Sequence, residues 1–323
     1  MIAISVIIPI YNAEAYIERC VRSLMEQTMQ NIEYIFINDC STDNSIEILN
    51  KTLAEYSHQN KSISILHNQK NSGPSESRKR GFYVAQGEYI CCCDSDDWID
   101  PKMYETMYKS TNNGKIDIVV CDYTLEFHKT NIIKKMECFH TPQEALANLD
   151  NSCKFSYSMC NQLIRKSLIL QEYIHIDSIR YREDTFLLMR IYYYAQSISY
   201  IPIAYYHYWK ENLESLTHNI YKTKQEWIKQ KRNFDKIVKL LYSKDNDYER
   251  YHWGVNKFKY SMKKEYKECF YNLYEYYKTY KESHYDIIYL NNQSCKSRIK
   301  QIKTKLVYNF FICFWLYSLR NNI

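Results

Sequence analysis

The segment Gly87-Glu-Tyr-Ile-Cys-Cys-Cys-Asp-Ser-Asp-Asp-Trp-Ile-Asp-Pro101 decides the reading of this chain. Tyr89 to Cys93 is a short apolar run suited to a buried strand, and it ends in Asp94, Asp96 and Asp97. Carboxylates clustered at a buried strand end are unfavourable unless something binds them. Hard divalent cations such as Mg²⁺ or Mn²⁺ take carboxylate oxygens. A metal held by one or two side chains keeps positions open for phosphate oxygens, so the stretch reads as the floor of a nucleoside-diphosphate site. The same residues also suit an acidic turn that caps a helix near Pro101, and the rest of the chain must decide.

Outward from that segment the chain alternates. Ile4 to Ile10 is a β-branched run of the kind that fills a parallel strand buried on both faces. Ala13 to Gln27 has helical spacing, with Ala15, Ile17, Cys20, Val21 and Leu24 on one side. Ile32 to Ile37 is a second buried strand. Ser41 to Ser45 is turn and N-cap chemistry before a helix to about Ser57. Ile63 to His67 is a third strand, and Ser75 to Ala85 a helix rich in Arg and Lys. This strand–helix alternation predicts an α/β fold built on an open parallel sheet. Such sheets bind ligands at the carboxyl ends of their strands. Asn12, Asp39 and Asp94 all fall at those ends. Neither GxGxxG nor GxxxxGK[ST] is present, so another device must neutralise a diphosphate. That strengthens the reading of Asp94-Ser95-Asp96 as a metal site.

The totals are consistent with a packed fold. Apolar content is 46%, with only 5 Gly and 5 Pro. The 12 Cys form no CxxC pair, and consecutive Cys91, Cys92 and Cys93 point to alternating faces, so reduced buried thiols are expected. No signal-peptide pattern precedes the first strand, and the expected location is cytoplasmic. The net charge of +6 is modest, with its basic excess mostly in the second half.

Four stretches in order carry a resemblance: SVIIPIYNAE (Ser5 to Glu14), INDCSTDNS (Ile37 to Ser45), NSGPSESRKRG (Asn71 to Gly81) and the Gly87 to Pro101 segment. Together the chain resembles family 2 glycosyltransferases with the GT-A fold, of the bacterial capsule, lipopolysaccharide and surface-polysaccharide type. The resemblance covers roughly the first hundred residues. It implies an inverting, metal-dependent transferase that moves a sugar from a nucleotide sugar, usually a UDP-sugar, to a saccharide or lipid-linked acceptor. Carried over by resemblance, Pro9, Tyr11 and Glu14 line the nucleoside pocket and Asp39 bonds the base. Asn71, Arg78, Asp94 and Ser95 lie along the nucleotide sugar, and Asp96 is the metal ligand of the DxD motif. Asp39 also suits an Asx turn and Arg78 a solvated helix face. Cys40 stands where the family usually has Gly, and Lys79 where Asn is common.

The second half is less explicit. Ile116 to Tyr123 reads as a strand, His128 to Cys138 as a hairpin or insertion, and Pro142 to Leu149 as a short helix. Gln162, in CNQLIRKS, replaces a Lys common in the family. Tyr181-Arg-Glu-Asp-Thr-Phe186 leads into an apolar helix. Acidic residues favour a helix N-terminus, but the pair also resembles the family's ED motif. That implies Asp184 as catalytic base, with Glu183 orienting it or the acceptor. The resemblance also implies a His or basic residue near here against the metal or diphosphate, which makes His207 a candidate metal ligand and Lys210 or His218 candidates to meet the phosphates; a His among aromatics also suits a core.

Residues 1–220 read as the catalytic domain and 221–323 as a helical extension rich in Lys, Glu and Tyr. Its last piece, Ser297 to Ile323, sets Arg298, Lys300, Lys303 and Lys305 before LVYNFFICFWLY. That apolar run is too short to span a bilayer and suits an interfacial helix at the inner membrane face, or a dimerising one. Two other functions compete. A nucleotidyltransferase would need a Gly-rich phosphate loop, which PIYNAE lacks. A catalytically inactive binding or scaffold protein would not need Asp39, Asp94, Asp96 and Asp184 together. A nucleic-acid partner is not expected, because Glu interleaves the basic tail.

Overall fold

The computed structural model describes residues 2–59, 61–148, 158–171 and 183–212, with the single positions Arg232 and Lys236. Tyr181, Arg182, His218, the boundary at 220 and, those two positions apart, the extension from 221 onward lie outside the described residues.

Four strands form the first half of one sheet. They are β1 (Ile4–Ile10), β2 (Ile32–Asn38), β3 (Ser62–His67) and β4 (Tyr89–Cys92). β1 pairs in parallel with β2 and β4, and β2 pairs in parallel with β3. β1, β2 and β4 are almost wholly buried, as β-branched runs covered on both faces must be. β3 lies at the sheet edge, and its side chains are correspondingly open.

Helices α1 (Ile17–Met25), α2 (Ser45–Glu55) and α3 (Pro74–Val84) connect these strands. α1 buries Ile17, Cys20, Val21, Leu24 and Met25, the stripe its spacing dictates. Ala15 was expected on that stripe; it precedes the helix and is exposed. α3 starts at Pro74, after Gly73 at φ 88°. Gly81 on α3 sits against β1, where a Cβ would come within 2.5 Å of Ile7. Glycine therefore lets α3 approach the sheet closely, and this brings Arg78 to the sheet's carboxyl end.

The second half adds β5 (Trp98–Ile99), α4 (Met103–Lys109), β6 (Ile118–Glu126), β7 (Asn131–Lys134) and α5 (Pro142–Ala147). It continues with β8 (Gln162–Arg165), α6 (Lys166–Ile169), α7 (Glu183–Tyr194) and β9 (Ile198–Trp209). The strand order is β3-β2-β1-β4-β8-β6-β9-β5, with β7 paired to β6. β8 runs antiparallel to both neighbours, whereas β6 and β9 are parallel. The hairpin reading of His128 to Cys138 is matched by β7, antiparallel to β6. β9 pairs Trp98 with His207 and Ile99 with Tyr206. A strand late in the sequence thus lies against the acidic segment.

Candidate active site

The loops after β1, β2 and β4 meet at one rim, because those strands are parallel neighbours. Asn12, at φ 46°, accepts from Thr42 N through Oδ1 at 2.8 Å. Glu14 accepts from both nitrogens of Asn44 at 3.0 Å, and its own N–H donates to Asp43 Oδ2 at 3.0 Å. The first and second strand loops are therefore tied reciprocally. Glu14 is exposed and serves this tie, while Tyr11 stands 50% exposed beside it. Pro9 is half-buried on β1.

Asp39 is buried and acts as a loop anchor. Its Oδ1 accepts from Asn68 Nδ2 at 2.7 Å and Ser72 N at 2.9 Å; Oδ2 accepts from Gly73 N at 2.7 Å. The carboxylate holds the Asn68 to Gly73 loop over the end of β2, leaving Asn71 exposed. Cys40 follows at φ 63°, in the region that favours glycine, and its thiol donates to Asn68 O at 3.0 Å.

Arg78 is the centre of the rim. Its side chain is 6% exposed. Nη2 donates to Asp94 Oδ1 at 2.6 Å, while Nη1 donates to Glu183 Oε1 at 2.9 Å and Asp184 Oδ1 at 3.1 Å. Its Nε is buried without a partner in the described structure. One guanidinium on α3 thus joins the β4 end to the start of α7, whose two carboxylates lie more than 100 residues beyond Arg78 in sequence. Asp184 Oδ2 also accepts from Met159 N at 3.4 Å. Burial raises the Glu183 carboxyl to about 7, reinforced by Asp184 and opposed by Arg78. Burial raises Asp184 as well, against the pull of Arg78. The three neighbouring carboxylates hold the Arg78 guanidinium firmly charged despite its burial.

The acidic segment divides its labour. Asp97 is buried and structural: Tyr206 Oη donates to Oδ2, and Trp209 N donates to Oδ1 at 2.8 Å. Asp96 Oδ2 accepts from Asn212 Nδ2 at 2.8 Å, and its carboxyl is raised by burial and by Asp94. Ser95 is half-buried between them. Among the described residues, no cation bonds the Asp96 carboxylate. Nor do three or more His, Cys, Asp or Glu cluster to cage a metal there. Hard oxygens with uncompensated charge fit a divalent cation that takes its remaining ligands from phosphates.

The structure gives His207 different neighbours. Nδ1 bonds Glu126 Oε1 at 2.8 Å, Nε2 lies 3.6 Å from Asp100 Oδ1, and the ring stacks on Trp98. To ligate a metal it would have to use the side facing Asp100 or give up Glu126. Lys210 Nζ lies over the Tyr208 ring at 4.7 Å. Gln162 is buried between Tyr192 Oη and Ser158 O.

Residues 5–171 match the model of the glycosyl transferase family 2, more than half of the chain. The chain belongs to that family. EpsH of Bacillus subtilis (strain 168) is 34% identical to the family 2 chain over 213 residues, 64% of this chain and 60% of that one. The chain therefore spans less than two thirds of that relative's length. Among solved structures, S. aureus TarS 1–349 in complex with UDP-GlcNAc superposes with a TM-score of 0.64 at 22% identity, covering 77% and 69% of the two chains. The mannosyltransferase PcManGT from Pyrobaculum calidifontis, in complex with GDP-Man and Mn²⁺, gives 0.52 at 13% identity, covering 79% and 73%. These likenesses establish the GT-A type of fold.

Sequence reasoning missed Arg19, Asp43, Asn68, Tyr206 and Asn212, all of which fix a rim residue. Only Asp43 carried a signal, as part of the STDNS turn chemistry; the others act through contacts between distant segments.

Proposed function

We propose that this chain is an inverting glycosyltransferase that moves a sugar from a nucleotide sugar, a UDP-sugar in the first instance, to a hydroxyl of a saccharide or lipid-linked acceptor in bacterial surface-polysaccharide synthesis. The observation that carries the reading is Arg78, which joins Asp94 on the donor side to Glu183 and Asp184 on the other.

Asp94 and Asp96 would hold a divalent cation, Mn²⁺ or Mg²⁺, which supplies charge stabilisation for the departing diphosphate. Tyr11 and Asp39 would frame the nucleoside, with the Asn68 to Gly73 loop held over it. Arg78 would exchange part of its carboxylate contact for phosphate oxygens, which a guanidinium binds with charge-assisted bonds. The acceptor oxygen attacks the anomeric carbon as the bond from that carbon to the phosphate oxygen breaks. Asp184 takes the acceptor proton, and the nucleoside diphosphate leaves with the electron pair. Burial makes Asp184 a stronger base than a solvated carboxylate. Glu183 shares the same guanidinium and would orient Asp184 or the acceptor.

The deciding experiment is a thermal-shift panel of nucleoside diphosphates and nucleotide sugars with and without Mn²⁺, paired with transfer assays on Asp184→Asn. Stabilisation by a UDP-sugar that requires Mn²⁺ is expected, with D184N still binding but no longer transferring. Transfer by D184N at a near wild-type rate would remove Asp184 from the role of base. Stabilisation by a different nucleotide would keep the reaction class and change the donor.

A further inference from the structure

One face of α1, continued by Gln27 just past the helix end, grips the acidic segment. Arg19 and Ser23 are four residues apart, which places them on one side of the helix, and Gln27 extends the row by the same step. Arg19 Nη2 donates to the main-chain oxygen of Asp96 at 2.9 Å. Ser23 Oγ accepts from Ile99 N at 3.3 Å. Gln27 Nε2 donates to Asp100 O at 2.8 Å, and its Oε1 accepts from Tyr104 N at 3.3 Å.

The first rung differs from the others. The Arg19 guanidinium lies 3.7 Å from the centroid of Trp98 and 5.1 Å from that of Trp209. Among the described residues it has no carboxylate within ion-pair distance; Asp96, Asp97 and Glu126 act on it only at longer range. A planar cation laid over an indole ring keeps few alternative orientations. Its hydrogen bond to Asp96 O is thereby pre-aimed. Asn212 holds the carboxylate end of the same residue. Asp96 is therefore fixed at both ends, by a helix before it in sequence and a segment far after it. A carboxylate that is one of very few protein ligands to a cation gains most from such fixing, because nothing else orients it.

We propose that Arg19 is a positioning residue that aims the Asp96 carboxylate at the donor-site cation. This rests on the reading of Asp96 as a metal ligand given above. Arg19 does not touch donor or acceptor in this role.

The test is calorimetric titration of UDP in the presence of Mn²⁺ into the full-length wild-type protein and the variants R19A, R19K and S23A, with a melting temperature for each. R19A should weaken Mn²⁺-dependent UDP binding by about 10-fold or more, the range seen when an outer-shell partner of a metal ligand is removed. R19K, which keeps the charge and reaches the carbonyl without the planar stack, should recover part of it. S23A removes the next rung, which holds Ile99 and not Asp96, so it should lower the melting temperature while leaving the affinity within about 2-fold. Wild-type affinity in R19A would overturn the proposal. So would an equal loss in R19A and S23A, which would make the rungs mere scaffolding. If R19A does not fold, R19M, which keeps an apolar stem at this position but cannot donate to Asp96 O, takes its place, and wild-type affinity in R19M overturns the proposal equally. If the wild-type protein itself binds no nucleotide with Mn²⁺, the donor-site reading falls, and this proposal with it.

Discussion

Arg78 and Asp184 lie 106 residues apart in sequence and 3.1 Å apart in the fold. The same guanidinium reaches Asp94 at 2.6 Å, so the proposed donor and acceptor sides of the site share one cation. Each partner is partly withdrawn from water: the Arg78 side chain is 6% exposed, Asp184 16% and Asp94 34%.

Removing that cation should be severe. Arg78→Ala leaves three carboxylates facing one another with no counter-charge, and breaking a buried ion cluster by removing one partner costs about 3–5 kcal/mol. Urea unfolding should show a loss of that order, and transfer should be undetectable. Full stability in R78A would mean that solvent or a rearrangement already balances the carboxylates.

The pH dependence of stability follows from Glu183. Its folded-state carboxyl is raised from 4.5 to about 7, because burial and Asp184 disfavour the charged form. The native state therefore holds a proton that the unfolded chain releases. Stability from this group is greatest below pH 4.5, declines as pH rises, and is lowest above about pH 7. On the order of 3 kcal/mol is at stake for a shift of this size. Glu183→Gln should flatten the fall of melting temperature between pH 5 and 8; an unchanged slope would assign that fall to other groups.

Cys40 occupies a left-handed conformation, with φ 63°. Comparing Cys40→Gly with Cys40→Ala isolates the backbone term, since both lose the thiol contact with Asn68 O. The glycine variant should be the more stable of the two by about 1 kcal/mol, because an L-residue is penalised in this region and glycine is not. Equal stability in chemical denaturation would show that the turn adjusts its backbone when the side chain changes.

Asp39 accepts three hydrogen bonds from one loop. Asp39→Ala should expose the amides of Ser72 and Gly73, leaving their N–H groups without an acceptor. Unmade buried bonds of this kind cost about 1–3 kcal/mol each. Hydrogen exchange at those two amides should speed up well before the global unfolding limit, while exchange in β1 stays slow. Protection unchanged at Ser72 and Gly73 would mean that the loop is held by other contacts.

The amino-acid sequence by itself determined the βαβ order of the first hundred residues. It also determined the burial of β1, β2 and β4 and the placement of Asp39 and Asp94 at strand ends. Those features follow from local rules: β-branched runs make buried strands, helical spacing makes amphipathic helices, and polar stops end them. Tertiary structure alone decided what those polar residues touch. Nothing local marks Arg78 as buried, because its helix is rich in Arg and Lys; Gly81 and the close approach of α3 to Ile7 bring it in. Nothing near Asp96 or Asp97 in sequence announces Arg19, Tyr206 or Asn212 as their partners. His207 carried the chemistry of a metal ligand, yet its strand register sets it opposite Trp98 and its hydrogen bond goes to Glu126. A residue's type and local pattern fix what it can do, while the pairing of segments far apart in sequence fixes which partner it meets.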